Sequence, residues 1–193
     1  MEPGDKSNGY EEVAKLFMSE RDPLTGVSTV RQWSRTLARG SSILDLGCGH
    51  GVPISQALIE DGFTVYGVDA SASLMESFRK RFPAAPAECS AFEDSAFFQR
   101  TFDAVVAVGL MFLLHPDVQC LLIRKVKQAL NSNGQFLFTS PEEKCIWRDI
   151  LTNRESVSLG AECYRHLLQA EGLILVGEMS DEANNHYYSV LKP

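Results

Sequence analysis

The sequence lacks several features that mark whole classes of proteins. Its five cysteines are odd in number, widely spaced and form no CxxC pair, so neither a disulfide framework nor a zinc site is indicated. The longest apolar run, 104–114, has about eleven residues, which is too few to span a bilayer. The opening stretch, MEPGDKSNGYEE, is polar and acidic and does not resemble a signal peptide. These absences favour a cytoplasmic protein without a metal site.

Basic residues are also in short supply. The chain has 18 Lys and Arg residues against 25 Asp and Glu residues, which gives a formal net charge of −7. An acidic chain without a large basic cluster repels phosphate backbones, so we expect no nucleic-acid partner. The small group Arg79-Lys80-Arg81 is interpreted as a solvated helix face. The length of 193 residues suits a single domain with a full core.

From residue 41 onward, short apolar strands alternate with amphipathic helices, a pattern typical of a parallel sheet with helices on both faces. The first five predicted strands are 43–46, 63–68, 87–89, 102–108 and 135–139. Two more, 173–179 and 186–191, are separated by about six polar residues, too few for a parallel crossover, so the last strand must be antiparallel. We therefore predict a three-layer α/β fold with a seven-stranded, mostly parallel sheet and one antiparallel C-terminal strand. Segment 141–158 shows no regular pattern.

The residues before the first strand predict two short helices. We interpret the chain as one domain, 1–193, in which residues 1–40 form a helical lid over a core of residues 41–193. In this lid Tyr10, Phe17 and Arg21 would face inward. The alternative is that the two helices only cover an edge of the sheet.

The strongest motif is Asp45-x-Gly47-x-Gly49-x-Gly51, directly after the first predicted strand. Glycines at alternate positions permit positive φ and allow a ligand to approach the backbone closely. The free N–H groups that begin the next helix then face that ligand. Dinucleotide binders space these glycines as G-x-G-x-x-G, so the spacing disfavours a nicotinamide-dependent oxidoreductase. Asp69 ends the second strand, where a carboxylate can accept both ribose hydroxyl protons of a nucleoside.

This pattern resembles the first motifs of the class I, Rossmann-like S-adenosylmethionine-dependent methyltransferases, and segments 91–97, 102–108 and 130–138 are similar to the later motifs of that family. The resemblance implies S-adenosyl-L-methionine as cofactor, S-adenosyl-L-homocysteine as product, and direct SN2 transfer of a methyl group to a small-molecule acceptor. Cys48 is expected to pack rather than to react. The resemblance assigns ten residues to cofactor binding: Asp45, Gly47, Cys48, Gly49, Gly51, Asp69, Ala70, Phe92, Glu93 and Val108.

One family motif is missing. Methyltransferases that act on amino groups of DNA bases or glutamine carry Asn/Asp-Pro-Pro-Tyr after the fourth strand, where this chain reads Val108-Gly109-Leu110-Met111. That chemistry is therefore disfavoured. Aminopropyl or other alkyl transfer on the same fold, and a non-catalytic nucleotide-binding module, stay open as alternatives. The sequence also leaves open the acceptor, the methylated atom and the oligomeric state.

Methyl transfer needs alignment more than side-chain chemistry, so candidate catalytic residues are few. His115, after the fourth strand, would act as a general base or would only cap the next helix. His186 begins the last strand at the carboxyl edge of the sheet, where ligands bind, and would face the acceptor; the alternative is a merely solvated turn at 180–185. Trp147 and Arg148 would bind a planar or anionic acceptor, or would serve packing and solvation alone.

Overall fold

The computed structural model describes residues 5–193, so residues 1–4 of the predicted lid lie outside it. Its main element is a seven-stranded sheet of order β3-β2-β1-β4-β5-β9-β8. Strand β9 runs antiparallel to its neighbours β5 and β8, and the other strands are parallel to one another. The predicted fold class, with its single antiparallel C-terminal strand, is confirmed. The strands of this sheet are β1 (Ser42–Leu46), β2 (Thr64–Asp69), β3 (Ala87–Cys89), β4 (Phe102–Ala107), β5 (Leu130–Thr139), β8 (Ile174–Ser180) and β9 (His186–Leu191).

Helices cover both faces of the sheet. Helices α2 and α3 bury Val30, Trp33 and Leu58 on one face, and α5 and α6 bury Leu122 and Tyr164 on the other. No helix within residues 5–193 is long and apolar enough to cross a membrane. The cytoplasmic location stays a prediction. The helices are α1 (Ala14–Glu20), α2 (Val27–Ser34), α3 (Ile54–Glu60), α4 (Ala72–Arg81), α5 (Pro116–Ala129) and α6 (Ala161–Ala170), with 3₁₀ turns at Phe97–Gln99 and Met111–Leu113.

The central strand β4 explains why the layers stay together. Val105 packs into the cluster under α5 and α6, whereas Val106 packs into the cluster under α2 and α3, and both side chains are fully buried. Successive side chains of a strand point to opposite faces, so a strand covered on both faces must be apolar throughout. At about 25 cal/mol per Å² of buried apolar surface, this double burial is a main source of stability.

Segment 141–158 forms a second, two-stranded sheet, which the sequence pattern did not predict. Strands β6 (Cys145–Arg148) and β7 (Glu155–Ser158) pair antiparallel. In β6, Trp147 is half-buried, whereas the neighbouring Ile146 is 67% exposed. The alternation typical of a half-buried strand would place a polar residue at the exposed position, so this hairpin departs from that pattern. The amide of Gln119 in α5 donates to the carbonyl of Val157 at 2.9 Å and so attaches the hairpin to the core.

A buried polar network joins this hairpin region to α6. The hydroxyl of Tyr164 lies 2.9 Å from Ser140 Oγ and donates to Gln119 Oε1 at 2.7 Å, and it accepts from the N–H of Leu159 at 3.2 Å. Buried polar groups contribute stability only while they are paired. Tyr188 packs against Tyr164 with 5.4 Å between ring centroids, yet its own buried hydroxyl has no partner among the described residues.

These two tyrosines make a matched pair for mutation. Tyr164→Phe should lower the free energy of unfolding by about 1–3 kcal/mol, because it leaves buried partners unpaired. Tyr188→Phe should change it by less than about 0.5 kcal/mol, since no hydrogen bond is lost. Urea denaturation of both variants measures the difference. Equal losses would contradict the role of the Tyr164 hydroxyl.

Candidate functional site

A cavity lies at the carboxyl ends of β1, β2 and β4, beneath the N-terminal segment. Ligands in open parallel sheets bind at this edge, where the loops between strands and helices open outward. Seven of the ten predicted cofactor residues line the cavity: Gly47, Gly49, Asp69, Ala70, Phe92, Glu93 and Val108.

Asp69 joins the first two loops of this site. Its Oδ2 accepts the backbone N–H of Gly49 at 2.8 Å, and its Oδ1 accepts the N–H of Ser71 at 2.8 Å. Burial raises the pKa of the Asp69 carboxyl, although the two N–H groups act in the opposite direction. Gly49 has a φ of 56°, and a Cβ there would lie 3.4 Å from Phe17 Cε1, so a side chain would fill the space between loop and lid. The carboxylate is thus held in place with lone pairs still available to the cavity.

The other three predicted cofactor residues do not line the cavity; they shape the loop from behind. Asp45 is buried and its Oδ2 accepts the hydroxyl of Ser55 at 2.5 Å. The sulfur of Cys48 lies 3.6 Å from Met75 Sδ, and burial raises the pKa of its thiol, which fits the expected packing role. Gly51 has a φ of 85°, where a side chain would collide with Phe82. Direct contact of a ligand with the side chains of Asp45 and Cys48, or with Gly51, does not fit this geometry.

The loop after β3 is braced by a residue that the sequence reading missed. The ammonium of Lys125, in α5, donates to the carbonyls of Phe92, Glu93 and Ser95 at 2.8, 3.0 and 3.0 Å. It also lies 4.8 Å from the ring centroid of Phe97. A lysine on an amphipathic helix carries no local sign of such a role, because its three acceptors are about thirty residues away in the chain.

The N-terminal segment covers the cavity, and Tyr10, Phe17 and Arg21 all line it. Two polar contacts tie the segment to loops on opposite sides. Lys6 Nζ donates to Asp94 Oδ2 at 2.6 Å, and the Tyr10 hydroxyl donates to Asp149 Oδ2 at 3.1 Å. The predicted lid, residues 1–40, also included α2, but α2 does not cover the cavity, because Trp33 of α2 is buried against the sheet. The cover is therefore the segment before α2.

A third contact attaches the cover to the start of α4. Glu11 Oε2 accepts the hydroxyl of Ser71 at 2.5 Å and the N–H of Ser73 at 3.0 Å. Hydrogen bonds from the Ser71 hydroxyl, and then from the hydroxyl and N–H of Ser73, hold the pKa of Glu11 below its ordinary value. Ser71 also accepts the N–H of Leu74, which confirms the predicted helix cap. A carboxylate here suits the positive end of the helix dipole.

Two hydrogen-bond donors in the cavity have no partner among the described residues. The guanidinium of Arg21 makes no hydrogen bond or ion pair within residues 5–193, and its Cζ lies 6.0 Å from the ring centroid of Phe17. In the same part of the chain, the buried Nδ2 of Asn8 is also unpaired. Unpaired buried donors cost stability unless a ligand satisfies them, so both groups fit an anionic or acceptor-bearing ligand.

The two predicted catalytic histidines lie apart. His186 lines a second cavity, and its Nε2 is 3.1 Å from Glu178 Oε2, whereas Tyr187 points to the opposite face and is buried. His115 does not line either of these cavities; its side chain is 71% exposed and its Nδ1 accepts the N–H of Asp117 at 3.4 Å. The helix-capping alternative therefore fits His115, and the general-base hypothesis does not.

Residues 43–134 match the family model described as a methyltransferase domain. Among curated proteins, the chain is similar to carboxy-S-adenosyl-L-methionine synthase of Campylobacter jejuni subsp. jejuni serotype O:23/36, with 28% identity over 134 residues. The match covers 67% of this chain and 55% of that protein, so the chain spans little more than half the length of this relative.

Solved structures share the fold. The CcbJ methyltransferase from Streptomyces caelestis superposes with a TM-score of 0.78 at 15% identity, over 98% of this chain and 100% of that one. The 1,6-didemethyltoxoflavin-N1-methyltransferase of Burkholderia thailandensis, solved with S-adenosylhomocysteine bound, gives a TM-score of 0.74 at 17% identity, over 95% and 84% of the two chains. At these identities the likeness concerns the fold.

Alanine substitutions at two glycines with positive φ distinguish the cost of backbone strain from the cost of steric crowding. Gly51→Ala should lower the free energy of unfolding by about 1–2 kcal/mol through its backbone conformation, and by about 1–3 kcal/mol more through collision with Phe78 and Phe82. Gly40→Ala, at a φ of 78° with nothing within 4 Å of the added Cβ, should show only the first loss. Thermal and urea denaturation compare the two. Similar losses would remove the packing role of Gly51.

Asp45 predicts a pH dependence of stability. Burial raises its pKa to about 7, and the Asp69 charge acts in the same direction against the Ser55 hydrogen bond. The protonated form therefore stabilises the fold at low pH, and this contribution is lost as pH rises through 7. Between pH 4 and pH 8, the free energy of unfolding of the wild type should fall by about 2–4 kcal/mol relative to that of Asp45→Asn. Urea denaturation at several pH values in this range measures the difference. If the unfolding free energies of the wild type and of Asp45→Asn changed in parallel with pH, the assignment would be wrong.

Proposed function

We propose that this chain is a class I S-adenosylmethionine-dependent methyltransferase that transfers a methyl group to a small-molecule acceptor, a proposal supported by the methyltransferase-domain match over residues 43–134 and by the shared fold. The observation that carries the proposal is the convergence of three loops on one cavity. Asp69, the glycine loop at Gly47 and Gly49, and the segment at Phe92 all line it. The covering segment completes the cavity above them.

The residues present fit S-adenosylmethionine. Asp69 offers lone pairs to the ribose hydroxyls, and the buried Phe92 supplies an apolar surface for adenine. The backbone N–H of Phe92 makes no hydrogen bond within residues 5–193, so it can donate to the ring. Arg21 and Asn8 provide unpaired donors for the carboxylate of the methionine part. When bound, S-adenosylmethionine supplies an activated methyl group on a sulfonium.

The protein's contribution is alignment and exclusion of water. Phe17 of the cover and Leu110, Phe112 and Leu114 of the loop after β4 form an apolar part of the lining. Methyl transfer gains rate chiefly from holding the reacting atoms in line and close together. The polar ties of the cover can exchange with water more easily than core packing can, so we infer that the cover opens to admit the cofactor.

Arg21 also bears on the alternative of aminopropyl transfer. The aminopropyl donor, decarboxylated S-adenosylmethionine, has no carboxylate and would leave the guanidinium of Arg21 unpaired in the cavity. The guanidinium of the half-buried Arg21 would gain a charge-assisted hydrogen bond from a carboxylate, so it favours the carboxylate-bearing donor.

The cofactor assignment predicts a crossed pattern of affinities. Asp69→Ala should weaken binding of both S-adenosylhomocysteine and 5′-methylthioadenosine by about 1.5–3 kcal/mol, because both carry the ribose. Arg21→Gln should weaken the binding of S-adenosylhomocysteine by a similar amount. It should leave the affinity for 5′-methylthioadenosine unchanged, because this compound lacks the carboxylate. Isothermal titration calorimetry measures all four affinities.

The exposed Asp117→Ala and Arg35→Gln serve as controls of matched charge, and thermal unfolding checks that each variant folds. Incorporation of labelled methyl groups from a metabolite pool then tests the transfer itself. Tighter binding of NAD than of S-adenosylhomocysteine, or wild-type affinity of Asp69→Ala for both nucleosides, would refute the cofactor assignment.

A further inference from the structure

The second cavity adjoins the first, and the two share Phe112 and Asp149 in their linings. It lies between the β6–β7 hairpin and the turn from β8 to β9. Its aromatic wall consists of Phe112 and Trp147, with 5.4 Å between ring centroids and a tilt of 46°. A flat apolar group can pack against such a wall. The polar part of the wall comes from Thr139, Ser140, Ser180, Asn184, Asn185 and His186.

The charges around this cavity are unequal. Glu142, Glu143 and Asp149 contribute three carboxylates to its lining, against the one guanidinium of Arg148. That guanidinium already donates to the carbonyl of Asn153 at 3.3 Å. A concave surface with excess negative charge attracts cations and repels carboxylates. The lining therefore favours an amine over an acid.

Asp149 occupies the place where the two cavities meet. Its Oδ1 accepts three hydrogen bonds, from the N–H of Leu151 at 3.0 Å and from the N–H and hydroxyl of Thr152 at 2.8 and 3.0 Å. Within residues 5–193, its Oδ2 accepts only the Tyr10 hydroxyl, at 3.1 Å. The turn thus fixes the carboxylate, while Oδ2 keeps a lone pair for a further donor.

We propose that the second cavity is the acceptor site and takes a small amine with a flat apolar group, whose nitrogen is held at Asp149. The inference rests on the proposed methyltransferase function and names its substrate class. An amine held at Asp149 binds as an ammonium and gives a proton to solvent before the transfer. The lone pair of the neutral amine then forms the new N–C bond while the C–S bond breaks and its electron pair stays on sulfur. The nitrogen becomes an ammonium again, and Asp149 is placed to bind it.

Three probes of equal shape test the class of acceptor. Phenethylamine, phenethyl alcohol and phenylacetate are titrated calorimetrically into the protein, with and without saturating S-adenosylhomocysteine. The amine should bind at least tenfold more tightly than the alcohol, and phenylacetate should bind most weakly. Because Trp147 lines the cavity, the amine should also change its fluorescence, and Trp147→Phe identifies that signal against the buried Trp33.

Asp149→Asn keeps an oxygen for the turn but removes the charge. It should weaken the binding of phenethylamine at least tenfold and leave the affinity for phenethyl alcohol unchanged. Glu155→Gln, which removes an exposed charge from the same hairpin outside the cavity lining, should change none of these affinities.

Each outcome decides the proposal. Failure to detect phenethylamine binding, an amine no tighter than the alcohol, or equal amine affinity in Asp149→Asn overturns the amine assignment even where S-adenosylhomocysteine binds normally. Loss of S-adenosylhomocysteine binding alone counts against the proposed function, whereas the titrations without it still test the second cavity.

Discussion

The candidate site depends on one carboxylate that joins two loops. Asp69 receives the N–H of Gly49 from the loop after β1 and the N–H of Ser71 from the loop after β2. Neighbouring parallel strands bring these loops to the same edge, and the buried carboxylate holds them at a fixed separation. Because Asp69 both shapes the cavity and offers lone pairs to it, the proposed recognition of the ribose would depend on the packing of the whole edge.

The cover above the cavity is attached in a different way. Its ties at Lys6, Tyr10 and Glu11 are polar and reach three separate parts of the core. Exposed ion pairs such as Lys6 with Asp94 contribute little stability, so the cover can separate without unfolding the sheet. The proposed transfer needs a site that first admits a large cofactor and then excludes water. A cover attached by polar contacts above a stable sheet suits both requirements.

The two cavities divide the proposed chemistry between two neighbouring parts of the molecule. The first is built from strand ends and glycine turns at the carboxyl edge of the sheet. The second is built from the β6–β7 hairpin and the β8–β9 turn, together with the ends of β5, β8 and β9. Asp149, at the junction, is fixed by its own turn and by the cover, so closure of the cover and placement of the acceptor are mechanically linked through Tyr10.

The seven-stranded sheet, its reversed last strand and the positions of Gly49 and Asp69 could be predicted from the sequence, because strand periodicity, short connections and positive-φ glycines act through neighbouring residues. The inward position of Arg21 could be predicted in the same way, whereas the contacts of Lys125 and Asp149 could not. Lys125 meets carbonyls about thirty residues away, and Asp149 meets Tyr10 at a separation of 139 residues. Such contacts follow from how elements pack, and no local pattern encodes them.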